Sequence, residues 1–225
     1  MEISGLIKNS FVDYPANIAC VVFTAGCNMN CWYCHNHNLI GQTTGEISEE
    51  YVFNLLKERK TFLDGVVITG GEPTLQPDLE EFILKIKKMG YKVKLDTNGT
   101  NLKVVKRLVS KGLLDYIAMD IKAPISKYKI ITTVPNLIEI EDSINYIKNC
   151  GVNYEFRTTF APNLTVEDIV EIANYIKGAK TYALQQYNKP EHITNEILKP
   201  HLPSEFDLIK TQVEGLVEKF IIRNL

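Results

Sequence analysis

The sequence predicts an alternating α/β fold: six βα units in series, with a parallel sheet that is either open or curled into a barrel. Three observations carry this. Short β-branched or aromatic runs recur at residues 18–24, 66–69, 91–95, 116–119, 154–159 and 182–186. Stretches of helical period separate them. The runs are also nearly continuously apolar, as parallel strands covered on both faces are. Repetition of strand, helix, strand implies right-handed crossovers and a parallel sheet.

Taken in order, the first run contains the longest strictly apolar stretch, 18–23, far below the ~20 residues that span a bilayer. After the second run, Leu79, Phe82, Ile83, Ile86 and Met89 form one helical stripe, with Pro77 in the first turn and Gly90 closing it. After the fifth, Thr165 to Asp168 resembles a capping box ahead of Ile169, Val170, Ala173 and Ile176. Phe206, Ile209, Val213, Leu216, Val217 and Phe220 predict a final helix. No repeat, linker or low-complexity tract divides the chain, so residues 1–225 read as one domain, with a core over about 16–190 and a helical segment over about 203–223.

Composition sets the limits. With 25 Lys and Arg against 27 Asp and Glu among 225 residues, the net charge is −2, which gives no general attraction to nucleic acid or anionic lipid. An apolar share of 45% and a charged share of 23% are ordinary globular values. Five cysteines are too few, and odd in number, for a secreted disulfide scaffold. The first residues carry neither a basic nor an apolar export region, so the expectation is a cytoplasmic protein without nucleic-acid or membrane partners.

The chemistry gathers after the strands. The first is followed by Cys27, Cys31 and Cys34, the second by Gly70-Gly71-Glu72, the third by Asp96-Thr97-Asn98-Gly99 and the fourth by Asp120-Ile121-Lys122. In a parallel barrel these positions share one rim. Three thiols spaced C-x3-C-x2-C are a poor fit to core packing. A zinc site would need His35 or His37 as a fourth ligand, and no second Cys/His pair lies near in sequence. An iron–sulfur cluster ordinarily takes four thiolates; three leave one iron open to a chelating amino and carboxylate group, such as a methionine-type molecule offers. From residue 14 to residue 45 there is no Asp, Glu, Lys or Arg, so burial and backbone N–H groups would set the cluster's potential. Asp96 ends an apolar strand and would need a partner, a ligand group or a helix N-terminus. Asp120 and Lys122, two apart on a strand, point to one face. Arg157 lies within the fifth run, while Cys20 and Cys150 read as small core residues.

The cysteine motif, with an aromatic before its last cysteine, resembles the radical S-adenosylmethionine superfamily, and Gly70-Gly71-Glu72-Pro73 is similar to that family's glycine-glycine-glutamate motif. The segments at Asp96 and Asp120 are similar to strand ends of the glycyl-radical-enzyme activases. The opening from Gly5 to Pro15 and Cys34-His35-Asn36 most resemble the longer form of the activating protein of anaerobic ribonucleoside-triphosphate reductase.

The resemblance implies a partial (β/α)6, TIM-like barrel closed by the final helix. It implies a [4Fe–4S] cluster on Cys27, Cys31 and Cys34, and S-adenosylmethionine held by Tyr33, His35, Gly70, Gly71, Glu72, Asp96, Asp120, Lys122 and Arg157, with Tyr33 beside adenine and Glu72 more structural than catalytic. His35 stands in a His-Asn pair that relatives do not use to bind iron. No side chain beyond the cluster and cofactor is then needed as a catalyst. The partners implied are anaerobic ribonucleotide reductase and a flavodoxin- or ferredoxin-type electron donor. One departure is the histidine that pyruvate formate-lyase activases carry near the fifth-strand loop: residues 160–168 contain none, and Arg157, Gln186 or Tyr187 could replace it. Rival readings are an enzyme of the same superfamily acting on another glycyl radical enzyme or on a small molecule such as a modified purine precursor, and a non-catalytic zinc-binding adaptor. The loops after the strands read as short, with no insertion to act as a lid, and an open rim of that kind suits a peptide from a large partner.

Overall fold

The structure is a computed structural model that describes residues 1–133, 137–195 and 197–225. It contains one eight-stranded sheet whose spatial order is the chain order. β1 (Ile3–Ser10) runs antiparallel to β2 (Ala19–Thr24). From β2 onward every neighbour is parallel: β3 (Gly65–Gly70), β4 (Lys92–Thr97), β5 (Tyr116–Asp120), β6 (Asn153–Phe160), β7 (Thr181–Gln186) and β8 (Lys219–Arg223). The helices are α1 (Glu49–Glu58), α2 (Leu79–Lys88), α3 (Leu102–Ser110), the short α4 (Tyr128–Thr132), α5 (Ile138–Asn149), α6 (Val166–Tyr175) and α7 (Pro203–Val213). Thr165 and Asp168 close the capping box that starts α6. α2 begins two residues after Pro77, with Asp78 at its N-cap, so the proline precedes the helix instead of lying in its first turn. Among the described residues no helix is long and apolar enough to cross a membrane.

The period-two alternation of strands divides the interior. One set of strand residues, including Cys20, Val22, Ile68, Leu95, Met119, Phe156 and Leu184, joins the helices' Phe82, Ile86, Leu108, Ile144 and Ile172 in the main core. The opposite face starts apolar, with Val21 and Val67 against Tyr14, Phe23 and Tyr116. Further along it is charged. Lys94 and Asp96 on β4, Asp120 on β5, and Glu155 and Arg157 on β6 all lie at period-two positions of that face. β4 and β6 therefore alternate apolar with charged, whereas β2, β3 and β5 carry continuous apolar runs. Ala118, flanked by Asp96 and Glu155 in the ladder, and Ala183, beside Arg157, leave room for these long side chains.

Two elements differ from the sequence-based expectation. β1 lies outside all six predicted strands, because Gly5, Lys8 and Asn9 break its apolar run. The final helix ends at Val213, and Gly215 adopts φ +84°, a left-handed conformation that suits glycine. Phe220, which continues the helical spacing, instead sits on β8 against β7. The C-terminal edge is thus closed by a strand, not by the helix. β8 is tied inward by Arg223, whose guanidinium donates to both Glu155 carboxylate oxygens at 3.1 and 2.7 Å.

Glu155 has a side chain only 2% exposed, so removing its partner strands a buried charge. Arg223→Met should lower the unfolding free energy by about 3 kcal/mol, measured by urea titration. Adding Glu155→Gln to that variant should restore much of the loss.

Candidate metal centre and cofactor cavity

The C-terminal ends of β2 to β7 converge on a cavity of about 280 Å³. It is lined by Thr69 from β3 and Gln185 from β7. Four strand spacings separate them, which would be ~19 Å across a flat sheet, so the sheet curls. All twelve residues singled out in the sequence line this one cavity: the three cysteines, Tyr33, His35, Gly70, Gly71, Glu72, Asp96, Asp120, Lys122 and Arg157.

The cysteine loop leaves β2 and is pinned by backbone hydrogen bonds from Gly26 to Leu39 and from Cys27 to Ile40. The Cys34 N–H donates to the Cys31 carbonyl at 3.1 Å, which turns both thiols to one side. Burial pushes the Cys27 thiol up, and pushes Cys31 up to about 11 against the pull of Lys122. A bound cation would reverse that preference and hold both as thiolates.

Gly70 and Gly71 are fixed by close backbone approach. A Cβ on Gly71 would lie 1.9 Å from the Gly26 carbonyl oxygen, and one on Gly70, at φ +122°, would lie 2.2 Å from the Thr24 nitrogen. The second strand end therefore sits directly against the root of the cysteine loop. Glu72 follows, fully buried. Its carboxylate accepts from the Thr74 hydroxyl at 2.6 Å and N–H at 3.1 Å, the Thr97 hydroxyl at 2.8 Å and the Asn98 N–H at 2.7 Å, while its own N–H donates to Gly26 at 2.8 Å. Burial pushes the carboxyl up despite those hydrogen bonds, which favour charge. Asn98 in turn donates to Asn28, and Asn28 to Thr100, joining the cysteine loop to the end of β4.

The opposite wall is ionic. Arg157 donates through Nε to Asp120 at 2.8 Å and through Nη1 to Asp96 at 2.9 Å. Lys94, 1% exposed, pairs with Asp96 at 2.5 Å, and Lys122 with Asp120 at 3.1 Å. Burial opposes charge on both carboxyls, but Arg157 and the two lysines outweigh it and hold them below the usual carboxylate range. For Lys122 burial likewise opposes charge, and attraction to Asp120 outweighs it. Lys122 and Arg157 line the cavity beside Asp96 and Asp120, while buried Lys94 supports Asp96 from outside the lining. Asp96 meets cations and caps no helix; α3 is preceded by Asn101. The Tyr33 hydroxyl is buried without a hydrogen-bond partner, so a polar group entering the cavity could satisfy it.

Other positions were less visible. Lys94 was missed, although it stands two residues before Asp96 on the same face. Gln185 lines the cavity, whereas Gln186 turns away to the His201 carbonyl and Tyr187 packs on Trp32. His201, distant in sequence, stacks its ring on Phe160 at 3.5 Å, and its Nε2 faces the Ala161 carbonyl; it does not line the cavity. Lys122 and Lys127 are paired with Asp120 and Asp168. His192, remote in sequence, stacks on His37 at 4.4 Å. Even so, among the described residues no three His, Cys, Asp or Glu side chains converge to hold a single ion. A four-iron cube instead takes its thiolates at separate corners, and three separated thiols around one cavity fit that donor set. Cys20 and Cys150 are elsewhere, on β2 and at the end of α5.

The sequence model of the radical SAM superfamily matches residues 21–176. A Methanocaldococcus jannaschii protein named as a glycyl-radical enzyme activating enzyme is 38% identical over 97% of this chain and 92% of its own length. The pyruvate formate-lyase-activating enzyme of Clostridium pasteurianum is 33% identical over 80% of this chain and 77% of its own. Among solved structures, Streptococcus suis SuiB bound to S-adenosylmethionine superimposes with a TM-score of 0.70 at 16% identity, over 88% of this chain and 48% of SuiB. That last likeness is one of fold.

The ionic wall carries a pH signature. Because Asp96 and Asp120 have depressed folded values, their charged forms stabilise the fold above the ordinary carboxylate range, and that stabilisation is lost as pH falls below about 4. Asp120→Asn should therefore cost about 3 kcal/mol at pH 7. The gap from the parent should narrow steadily between pH 4 and pH 2 in urea titrations.

Proposed function

Because the chain belongs to the radical S-adenosylmethionine superfamily, within its glycyl-radical-enzyme activating branch, we propose that it installs a glycyl radical on anaerobic ribonucleoside-triphosphate reductase. The zinc-adaptor reading is thereby set aside. The protein works with a [4Fe–4S] cluster and S-adenosylmethionine, which when bound supply the one-electron cleavage that produces a hydrogen-abstracting radical.

The chain's own residues bind, orient and exclude water. Cys27, Cys31 and Cys34 would hold the cluster. The backbone at Gly70 and Gly71, which packs directly on the root of the cysteine loop and lines the same cavity, would meet the cofactor's methionine portion. Lys122 and Arg157, the two cations that line the cavity, would attract its carboxylate. Tyr33 and His35, which line the same cavity, would take the adenine side of the cofactor, and Glu72 keeps the turn in shape from behind.

The observation that carries the choice of a macromolecular substrate is how few polar groups remain. Asp96, Asp120, Lys122 and Arg157 are paired with one another, and Glu72, Thr97 and Asn98 are bonded among themselves. Thr69, Thr159 and Gln185 are what is left on the strands. A buried metabolite needs several dedicated polar partners, more than these three supply. A glycine loop needs only access, and a flavodoxin- or ferredoxin-type donor supplies the electron. The resemblance of residues 5–15 to the reductase activators is what supports this target over other glycyl radical enzymes.

Two experiments test this. Replacing Cys27, Cys31 or Cys34 by Ala should abolish iron uptake, measured by iron content and absorbance after anaerobic reconstitution, whereas Cys20→Ala and Cys150→Ala should retain it. Reduced protein, S-adenosylmethionine and anaerobic ribonucleotide reductase should give a glycyl-type EPR doublet on the reductase, absent when the target glycine is alanine. A doublet on a different glycyl radical enzyme only, or turnover of a purine nucleotide without any protein radical, would overturn the assignment.

A further inference from the structure

The connection from β7 to α7, residues 187–202, contains no helix or strand among its described residues and reaches the cysteine loop. It is longer than the short loops expected after the strands. At its start the Tyr187 ring meets Trp32 with centroids 5.9 Å apart. Midway, His192 stacks on His37 at 4.4 Å, and its Nε2 lies 3.2 Å from the Trp32 carbonyl oxygen. A carbonyl only accepts, so Nε2 carries the proton. At the far end His201 is fastened three ways: Nδ1 to Glu205 at 2.9 Å, Nε2 to Ala161 at 3.1 Å, and its carbonyl to the Gln186 amide at 2.9 Å. The connection thus starts and ends on the barrel rim and crosses the cysteine loop between Cys31 and Cys34.

Trp32 is a revealing point of contact. Its carbonyl belongs to the turn that the Cys34 N–H closes onto Cys31, so a bond to that oxygen restrains the separation of the two thiols without touching either. No charged side chain lies on the loop from 26 to 45, and neutral hydrogen bonding and ring packing are the means available to hold it.

We propose that this connection is a clamp on the cysteine loop and that His192 is a positioning residue for it, acting through the Trp32 carbonyl, with His201 as the far anchor. The role at the cluster rests on the activase reading above; the clamp itself does not. With the clamp closed, the Cys31–Cys34 turn keeps one geometry and water is kept from its outer side. With it open, the turn is free to move and an assembled cluster is lost faster.

Trp32 is the single tryptophan in the chain, so its fluorescence reports the clamp directly. In the full-length, iron-free protein, His192→Ala should shift the emission to the red and raise acrylamide quenching about twofold, by local opening. His192 is exposed, so the thermal midpoint should stay put. After reconstitution, the same variant should lose its cluster in air at least about threefold faster and show an altered EPR spectrum of the reduced cluster, as an outer hydrogen bond to a ligand loop would dictate. His192→Gln, which keeps an N–H donor, should return both readouts toward the parent, and His201→Ala should act in the same direction as His192→Ala from a distance. Unchanged quenching in His192→Ala would overturn the clamp. Changed quenching with parental cluster loss and EPR would overturn the positioning role. A parent protein that takes up no iron would sink the activase reading, and the quenching comparison would still decide the clamp.

Discussion

A carboxylate with no access to water must find its hydrogen bonds inside the protein, and Glu72 finds them on two different strand ends. Its oxygens gather donors from Thr74, Thr97 and Asn98, and its own N–H reaches the cysteine loop at Gly26. Removing any donor leaves part of a buried charge unanswered, so the ends of β2, β3 and β4 cannot drift independently. The two glycines before Glu72 serve the same constraint from the other side, because no side chain fits between them and the root of the loop. The position of the thiols relative to the ionic wall follows from this junction.

The ionic wall obeys a related rule. Lys94, Asp96, Asp120 and Arg157 lie on the inward face of three adjacent strands, where an apolar barrel would carry Val or Ile, and Lys122 follows just past the end of β5. Burial disfavours each charge taken alone; pairing makes the set tolerable, and the cations outnumber the anions by one. An interior built this way trades some stability for a preformed field that a charged ligand meets on arrival. The small residues Ala118 and Ala183 belong to the same design, since long side chains need space at the neighbouring ladder positions.

Much of this was readable in the chain itself. The six parallel strands announce themselves because their outward residues are strongly apolar, and the twelve site residues because chemistry at the end of each strand must converge if the sheet curls. What escaped notice has physical reasons. β1 gains its place from pairing along β2, not from its own mixed pattern. Phe220 continues a helical spacing that Gly215 interrupts, so periodicity alone misplaced it. Lys94 looks like a surface lysine until Asp96 is known to face inward. His192 and His201 carry no local signal at all; both act on segments far away in the sequence, and only the fold brings them there.

The order of the strands has a last consequence. Because each strand pairs with the one made just before it, the sheet can be laid down from the N-terminus without threading any later segment between earlier ones, a route built on short crossovers. The cysteine loop is synthesised early, behind β2. Its surroundings arrive piecemeal: the Glu72 junction with β3 and β4, the ionic wall with β4 to β6, Gln185 with β7, and the connection across Trp32 only after that. The three thiols therefore remain open to the medium through most of biosynthesis, and the compartment is walled only when nearly the whole chain is in place.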